Sequence, residues 1–178
     1  MKTEQAKFED LTTERLLLRR LKDSDASAIS VLRSDEDVNR YIDRPKQTSV
    51  EAASAFIAKR NEDIEKGNSF YWALCFKDKP ELIGTLCVFK FSEGRSEAEL
   101  GYELATIYQG QGIASEAARR VIAFCFENAG FKSLVACVHK EHTKSINLLL
   151  KNSFVFDPDR KEEEYPEYVF YVLIAPTA

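Results

Sequence analysis

The sequence predicts an α/β protein of the α+β type: a mixed, mostly antiparallel sheet of about seven strands flanked by four helices, in one domain over residues 1–178. Three observations predict it. Aromatic and β-branched runs in the middle of the chain are joined by connections too short for a crossover, which makes them antiparallel neighbours. After residue 104, short apolar runs alternate with segments of helical period. The chain of 178 residues is 44% hydrophobic with twelve Phe and seven Tyr, enough for one continuous core with a ligand cleft.

Residues 15–21, Arg-Leu-Leu-Leu-Arg-Arg-Leu, are β-compatible, and Asp23, Ser24 and Asp25 then supply capping oxygens for a helix running to Arg33. A second helix is expected over 49–66. Ser49 serves as its N-cap, Ala52, Ala53, Phe56 and Ile57 share one face, and Gly67 stops it; residues 40–48, with Pro45, are loop. Residues 70–76 and 82–91 form a hairpin around Lys77-Asp78-Lys79-Pro80-Glu81, and 98–104 adds a third strand after Ser92-Glu93-Gly94-Arg95.

Over 113–130 the apolar residues Ile113, Ala117, Val121, Phe124 and Cys125 recur at helical spacing. Residues 134–138 are a short buried strand. Residues 143–152 make an amphipathic helix with Ile146, Leu149 and Leu150 inward. Strands over 154–156 and 168–174 end the pattern, divided by the acidic loop 157–167, where Pro158 and Pro166 lack the N–H that a ladder requires.

A net charge of -4 argues against nucleic acid and anionic membranes as partners, since both need a clustered Lys/Arg surface. It favours a cationic substrate such as an amine, and the Asp and Glu residues of 157–167 are compatible with one. No apolar run reaches about 18 residues, and residues 1–10 are mixed in charge, so neither a membrane span nor a signal peptide is expected and the location is read as cytoplasmic. Cys75, Cys87, Cys125 and Cys137 stand far apart among apolar neighbours, with no His at ligand spacing. They read as buried free thiols, and no metal site is expected.

The chemistry concentrates in Tyr108-Gln109-Gly110-Gln111-Gly112-Ile113-Ala114-Ser115-Glu116-Ala117, between the strand ending at Leu104 and the helix opening at Ile113. Two glycines let the backbone approach an anion, and the first amides of the helix have no intrahelical acceptor, so they can donate to phosphate oxygens. A glycine turn without a ligand is the other reading of the same residues. A Walker loop is excluded by the missing Gly-Lys-Ser/Thr, and a dinucleotide fingerprint by the missing third glycine and the preceding hairpin.

Gln109-x-x-Gly112-x-Ala114 resembles the Gln/Arg-x-x-Gly-x-Gly/Ala signature of the GNAT acetyltransferase superfamily. Residues 13–19, Thr-Glu-Arg-Leu-Leu-Leu-Arg, are similar to the first strand of its Rim-type branch, whose named members acetylate ribosomal-protein N-termini. Gly101-Tyr102-Glu103-Leu104, Gly110-Gln111-Gly112 and Ser115-Glu116-Ala117 resemble that branch's cofactor segment. The resemblance implies a splayed sheet in which the strands over 98–104 and 134–138 separate to admit the pantetheine of acetyl-CoA. It implies that backbone groups of Leu104, Ala105 and Thr106 pair with pantetheine. The amides of Gln109, Gly110, Gln111, Gly112, Ile113 and Ala114, with the Ser115 hydroxyl, would hold the pyrophosphate.

The reaction so implied is direct attack of a primary amine, such as a protein N-terminal Ala or Ser, on the thioester, with a carboxylate or a water chain as base. Glu97, Glu99 and Glu103 alternate along one strand and share a face. Glu99 matches the general-base position of the histone-modifying branch; Glu103 lies nearer the expected thioester. A solvated polar face is the alternative for both.

Where many members carry a Tyr to serve the leaving thiolate, this chain has Leu149. The Rim-type Asn-x-x-Ser corresponds to His142-Thr143-Lys144-Ser145: Ser145 is the candidate donor to sulfur or pantetheine and His142 a candidate cofactor contact. An early-helix Ser bonding its own backbone and exposed histidines are the alternatives. The family's Lys-Leu-Gly-Phe turn reads Lys151-Asn152-Ser153-Phe154, so either Ser153 tolerates glycine's geometry or Asn152 takes the left-handed position. A catalytically silent acyl-CoA-binding module and a plain interaction domain stand as other functions, and a homodimer through the closing strands as a possible assembly.

Overall fold

A computed structural model describes residues 6–46 and 49–176. Residues 1–5 of the mixed-charge N-terminal segment, Gln47 and Thr48 of the loop expected over 40–48, and residues 177–178 lie outside the described residues. The elements are β1 (Leu11–Thr12), β2 (Leu16–Arg19), α1 (Ala26–Ser34), α2 (Glu36–Asn39), α3 (Val50–Glu65), β3 (Phe70–Phe76), β4 (Lys79–Phe89), β5 (Glu97–Leu104), α4 (Ile113–Glu127), β6 (Ser133–His139), α5 (Thr143–Lys151), β7 (Val155–Asp157) and β8 (Tyr168–Ile174).

The strands form one sheet in the order β1-β2-β3-β4-β5-β6-β8-β7. Every neighbouring pair is antiparallel except β5 and β6. Helices cover both faces. Along β3, Phe70, Trp72 and Leu74 enter the core under α4, while Tyr71, Ala73 and Cys75 enter the core under α1 and α3, as the period-2 alternation of a strand requires. Phe124 anchors the first core, lying edge-on to Phe70 at 5.2 Å and to Trp72 at 5.6 Å. Truncation of such a ring to Ala costs about 3–5 kcal/mol.

Two elements exceed the expected seven strands and four helices. β1 is two residues long, paired Leu11↔Leu18, too short for a period to show. α2 is one turn, and Asp35 caps it by accepting from Val38 N at 2.9 Å. In α5 the expected inward Leu150 is 53% exposed. The other two expected inward residues hold, Leu149 being fully buried and Ile146 packed against the core; Ser145 and the C-cap Asn152 join Leu149 on a buried stripe spaced i, i+4, i+7, and Leu150 lies about a quarter turn away from it. The turn after α5 settles on Ser153, whose φ of 66° is left-handed, while Asn152 stays at negative φ. All four cysteines are free; Cys75 and Cys125 are buried and the other two half-buried. Among the described residues no helix is long and apolar enough to cross a membrane.

One feature of the sheet positions the site. β5 and β6 pair only through Glu97↔Ser133, Ala98↔Leu134 and Glu99↔Val135, although β5 runs on to Leu104 and β6 to His139. The two strands diverge beyond Glu99, while β6 stays paired to β8 along its whole length. The gap is the expected splay.

Candidate active site

The gap opens into a cleft of about 680 Å³ that passes from α5 on one face of the sheet to α1 and α3 on the other. The α4 end of the site, outside the lining of this cleft, is built from backbone. After β5 a single 3-10 turn, Thr106–Tyr108, leads into Gly110 and Gly112, both left-handed at φ of 75° and 73°. Gly112 is the N-cap of α4 and has no side chain to cap it. The first amide after the glycines with a protein acceptor is Glu116 N, bonded to Gly112 O at 3.0 Å. Among the described residues the N–H groups from Gly110 through Ser115 have no acceptor, and they lie at the positive end of a 15-residue helix.

The loop is held by side chains rather than by its own capping. Glu116 accepts from Thr13 Oγ1 (2.5 Å), Arg15 N (3.0 Å) and Arg15 Nε (2.7 Å), and Arg15 also donates to Gln111 O at 3.1 Å. Burial raises the Glu116 carboxyl's affinity for a proton, but the bonds from Thr13 and Arg15 outweigh it and hold the pKa below the ordinary value. The one acid in the first turn is therefore neutralised by Arg15 and does not oppose an anion. Ser115 Oγ accepts from Asn152 Nδ2 at 3.1 Å, which leaves its proton to be donated.

Gln109, expected among the phosphate-binding amides, has another place: its N–H goes to Thr106 O (3.2 Å) and its side chain to Leu104 O (3.0 Å), bracing the loop. Ala105 N is likewise spent, on Ile83 O at 2.9 Å. Of the residues expected along pantetheine, Thr106 keeps a free N–H, and Leu104 O already holds the Gln109 side chain.

At the middle of the cleft, Tyr102 reaches across the splay from β5 to the first turn of α5. Its hydroxyl lies 2.6 Å from Ser145 Oγ and donates to Ser145 O at 3.3 Å. Ser145 is 8% exposed, so the pair is enclosed. Burial pushes the Tyr102 phenol up to about 12, and its hydroxyl keeps its proton at neutral pH. Strand alternation puts Tyr102 on the face opposite the glutamates, and for that reason the sequence offered no catalytic signal there.

The α1 and α3 end is built from side chains. Glu103 Oε2 accepts from Arg44 at 2.5 Å, Oε1 accepts from Thr85 Oγ1 at 3.1 Å, and Arg33 stands 3.9 Å from Oε1. Glu99, the last β5 residue paired to β6, binds Lys90 at 2.9 Å, and Glu97 is taken by Arg160. Of the three aligned glutamates, Glu99 and Glu103 line the cleft. His142 lines the cleft, stacked on Tyr41 at 4.8 Å between centroids; burial, then Lys144, pulls its pKa below the ordinary value. Tyr168 pins the loop carrying Tyr41 to β8 by donating to Tyr41 O and accepting from Asp43 N.

In the acidic loop 157–167, Asp157 and Glu167 are paired with Arg160 and Lys140, and of the loop's carboxylates Glu162 alone lines the cleft. No group of three His, Cys, Asp or Glu among the described residues could hold a metal ion.

Residues 15–155 match the family model for the acetyltransferase (GNAT) domain. The chain is 31% identical over 163 residues to YoaA of Bacillus subtilis strain 168, described as an uncharacterized N-acetyltransferase, an alignment covering 92% of this chain and 89% of that one. Its fold superposes on Mycobacterium smegmatis RimJ in complex with CoA-disulfide with a TM-score of 0.82, at 19% identity over 94% of this chain and 88% of that one. It also superposes on RimL, a ribosomal L7/L12 alpha-N-protein acetyltransferase in complex with coenzyme A, with a TM-score of 0.81 at 19% identity over 93% and 98%. With a glycine-led helix start beside a parted strand pair, and with these relatives, the chain belongs to the GNAT family of acetyl-CoA-dependent acetyltransferases.

Proposed function

We propose that the chain acetylates a primary amine, gripping the acetyl-CoA diphosphate with the N–H groups of Gly110 through Ser115 and admitting pantetheine between β5 and β6. The observation that carries this is the run of unpartnered N–H groups beside a gap in an otherwise paired sheet. When bound, the donor supplies a thioester carbonyl open to attack by an amine.

An ammonium has no lone pair, so the acceptor must lose a proton before it attacks. Glu99 stands where the strands part, and Glu103 deeper in the cleft; each is already paired to a cation, so either accepts the proton at a carboxylate oxygen shared with that cation or through water. At the other side of the gap, Ser145 Oγ, held 2.6 Å from the Tyr102 hydroxyl, hydrogen-bonds the departing sulfur and stabilises its charge; CoA leaves as the thiolate and takes its proton from the base that received the amine's or from solvent. This pair takes the place of the Tyr that Leu149 lacks. A protein N-terminal Ala or Ser is one acceptor, by analogy with the function stated for RimL, and four free thiols fit a cytoplasmic location.

A silent acyl-CoA-binding module is the second reading, favoured by the ion pairs that occupy both candidate bases. Thiol release from acetyl-CoA with a panel of amines and peptides decides between them. Turnover that falls at least tenfold in the Glu99→Gln/Glu103→Gln double variant, with CoA affinity kept, supports the enzyme; no turnover across the panel while CoA binds supports the module.

A further inference from the structure

We propose that the cleft holds an anion subsite formed by Arg33, Arg60 and Ser69, so that the acceptor is an amine carrying a carboxylate. This rests on the acetyltransferase reading and names its acceptor class. Arg33, at the end of α1, has a side chain only 13% exposed, yet among the described residues it makes no hydrogen bond. Its contacts are the face of Phe56, 4.2 Å from the ring centroid, and Glu103 at 3.9 Å, beyond hydrogen-bond reach. A guanidinium has five N–H donors, and buried donors are nearly always satisfied; the Arg33 Nε is buried without a partner, and the group as a whole has no protein acceptor among the described residues, so it marks a place for an acceptor from outside the fold.

Two other residues of the cleft each carry one buried donor without a partner. Arg60 stands over the same Phe56 ring at 5.3 Å, with its Nε unpartnered and one ion pair, to Asp63 at 3.0 Å. Ser69, 7% exposed where the chain enters β3, has a hydroxyl without a partner. All three line the one cleft.

The opposing charges do not cancel this. Four cationic and four acidic side chains line the cleft, but they are segregated. Lys90 is matched by Glu99, with Glu162 nearby, and Asp43 lies by Tyr168. Arg33 and Arg44 share Glu103, which Arg44 holds more closely, while Arg60 is paired with Asp63, which does not line the cleft. The planar guanidinium fork matches a carboxylate, which would complete the hydrogen bonding that the protein leaves open.

The test uses matched acceptors with the same amine: alanine against alaninamide, and Ala-Glu-amide against Ala-Gln-amide. Thiol release is measured for wild type, Arg33→Gln, Arg33→Lys and Arg60→Gln, and the thermal midpoint of the CoA-loaded protein is read with and without each acceptor. The carboxylate member of at least one pair is expected to exceed its amide in kcat/KM by tenfold or more and to raise the midpoint more. Arg33→Gln and Arg60→Gln are expected to shrink that preference, and Arg33→Lys to keep part of it. Preference for alanine assigns the subsite to a free amino acid, and preference for Ala-Glu-amide to an acidic peptide. Equal or better turnover of both amides overturns the inference and leaves the acetyltransferase intact. Absence of turnover with CoA bound counts against the enzyme, and the midpoint shifts then decide the subsite: a carboxylate-specific shift lost in Arg33→Gln and Arg60→Gln upholds it, and no such shift overturns it.

Discussion

The two ends of the site are made of different material. The α4 end, outside the cleft's own lining, presents backbone N–H groups exposed by two left-handed glycines, whereas the α1 and α3 end, within the cleft, presents charged side chains drawn from α1, the loop after α2, α3 and β5. A backbone site depends on φ and on the absence of side chains, so few substitutions touch it and those that do act sharply. A side-chain site depends on pairing among buried charges, so a change there disturbs stability and rate together. Changes at one end should therefore leave the other's function standing.

The largest separation is expected from Gly112→Glu. It puts a side chain on a φ of 73° and a negative charge at the anion cradle, and calorimetry should show CoA affinity falling by about 100-fold or more. Next is Glu103→Gln, which leaves Arg44 and Arg33 without their shared anion. Denaturant titration should show a loss of about 3 kcal/mol, with CoA affinity of the folded protein within about twofold of wild type. If CoA binding fell with it, the two ends would not be independent.

Tyr102→Phe sharpens the comparison at the boundary. It removes one hydroxyl from the Ser145 pair, and kcat should fall by about 10- to 100-fold with little change in CoA affinity. Ser153→Gly lies outside both ends and should matter least. It relieves a left-handed serine, so the folded state should gain up to about 1 kcal/mol, read as a higher thermal midpoint, with kinetics unchanged.

The same contrast governs what could be read from the sequence. Gly110, Gly112 and the helix start are neighbours in the chain, so their spacing alone specifies a local geometry that the fold retains. The antiparallel centre was legible for a similar reason, because β3, β4 and β5 are joined by short turns. Arg33, Arg60 and Ser69 are brought together only by packing of α1 and α3 on the sheet, and no periodicity in any single element announces it. Tyr102 was hidden by its own alternation, which assigns it to the core face; it takes the parting of β5 from β6 to give that face access to the cleft. Ser145 was legible through the Rim-type pattern, but its partner was not. For the acidic loop, composition could not show that Asp157 and Glu167 have partners in Arg160 and Lys140, or that Glu162 is the carboxylate facing the cleft.

Diphosphate binding by the glycine loop is read out by titrating the nitrogen-15-labelled protein with CoA and following the backbone amides. The largest shift changes are expected at Gly110, Gln111, Gly112, Ile113, Ala114 and Ser115, and are expected to be lost when pantetheine, which lacks the diphosphate, replaces CoA. Shifts of those amides that are as large with pantetheine as with CoA, or CoA binding that leaves them unmoved, would contradict it.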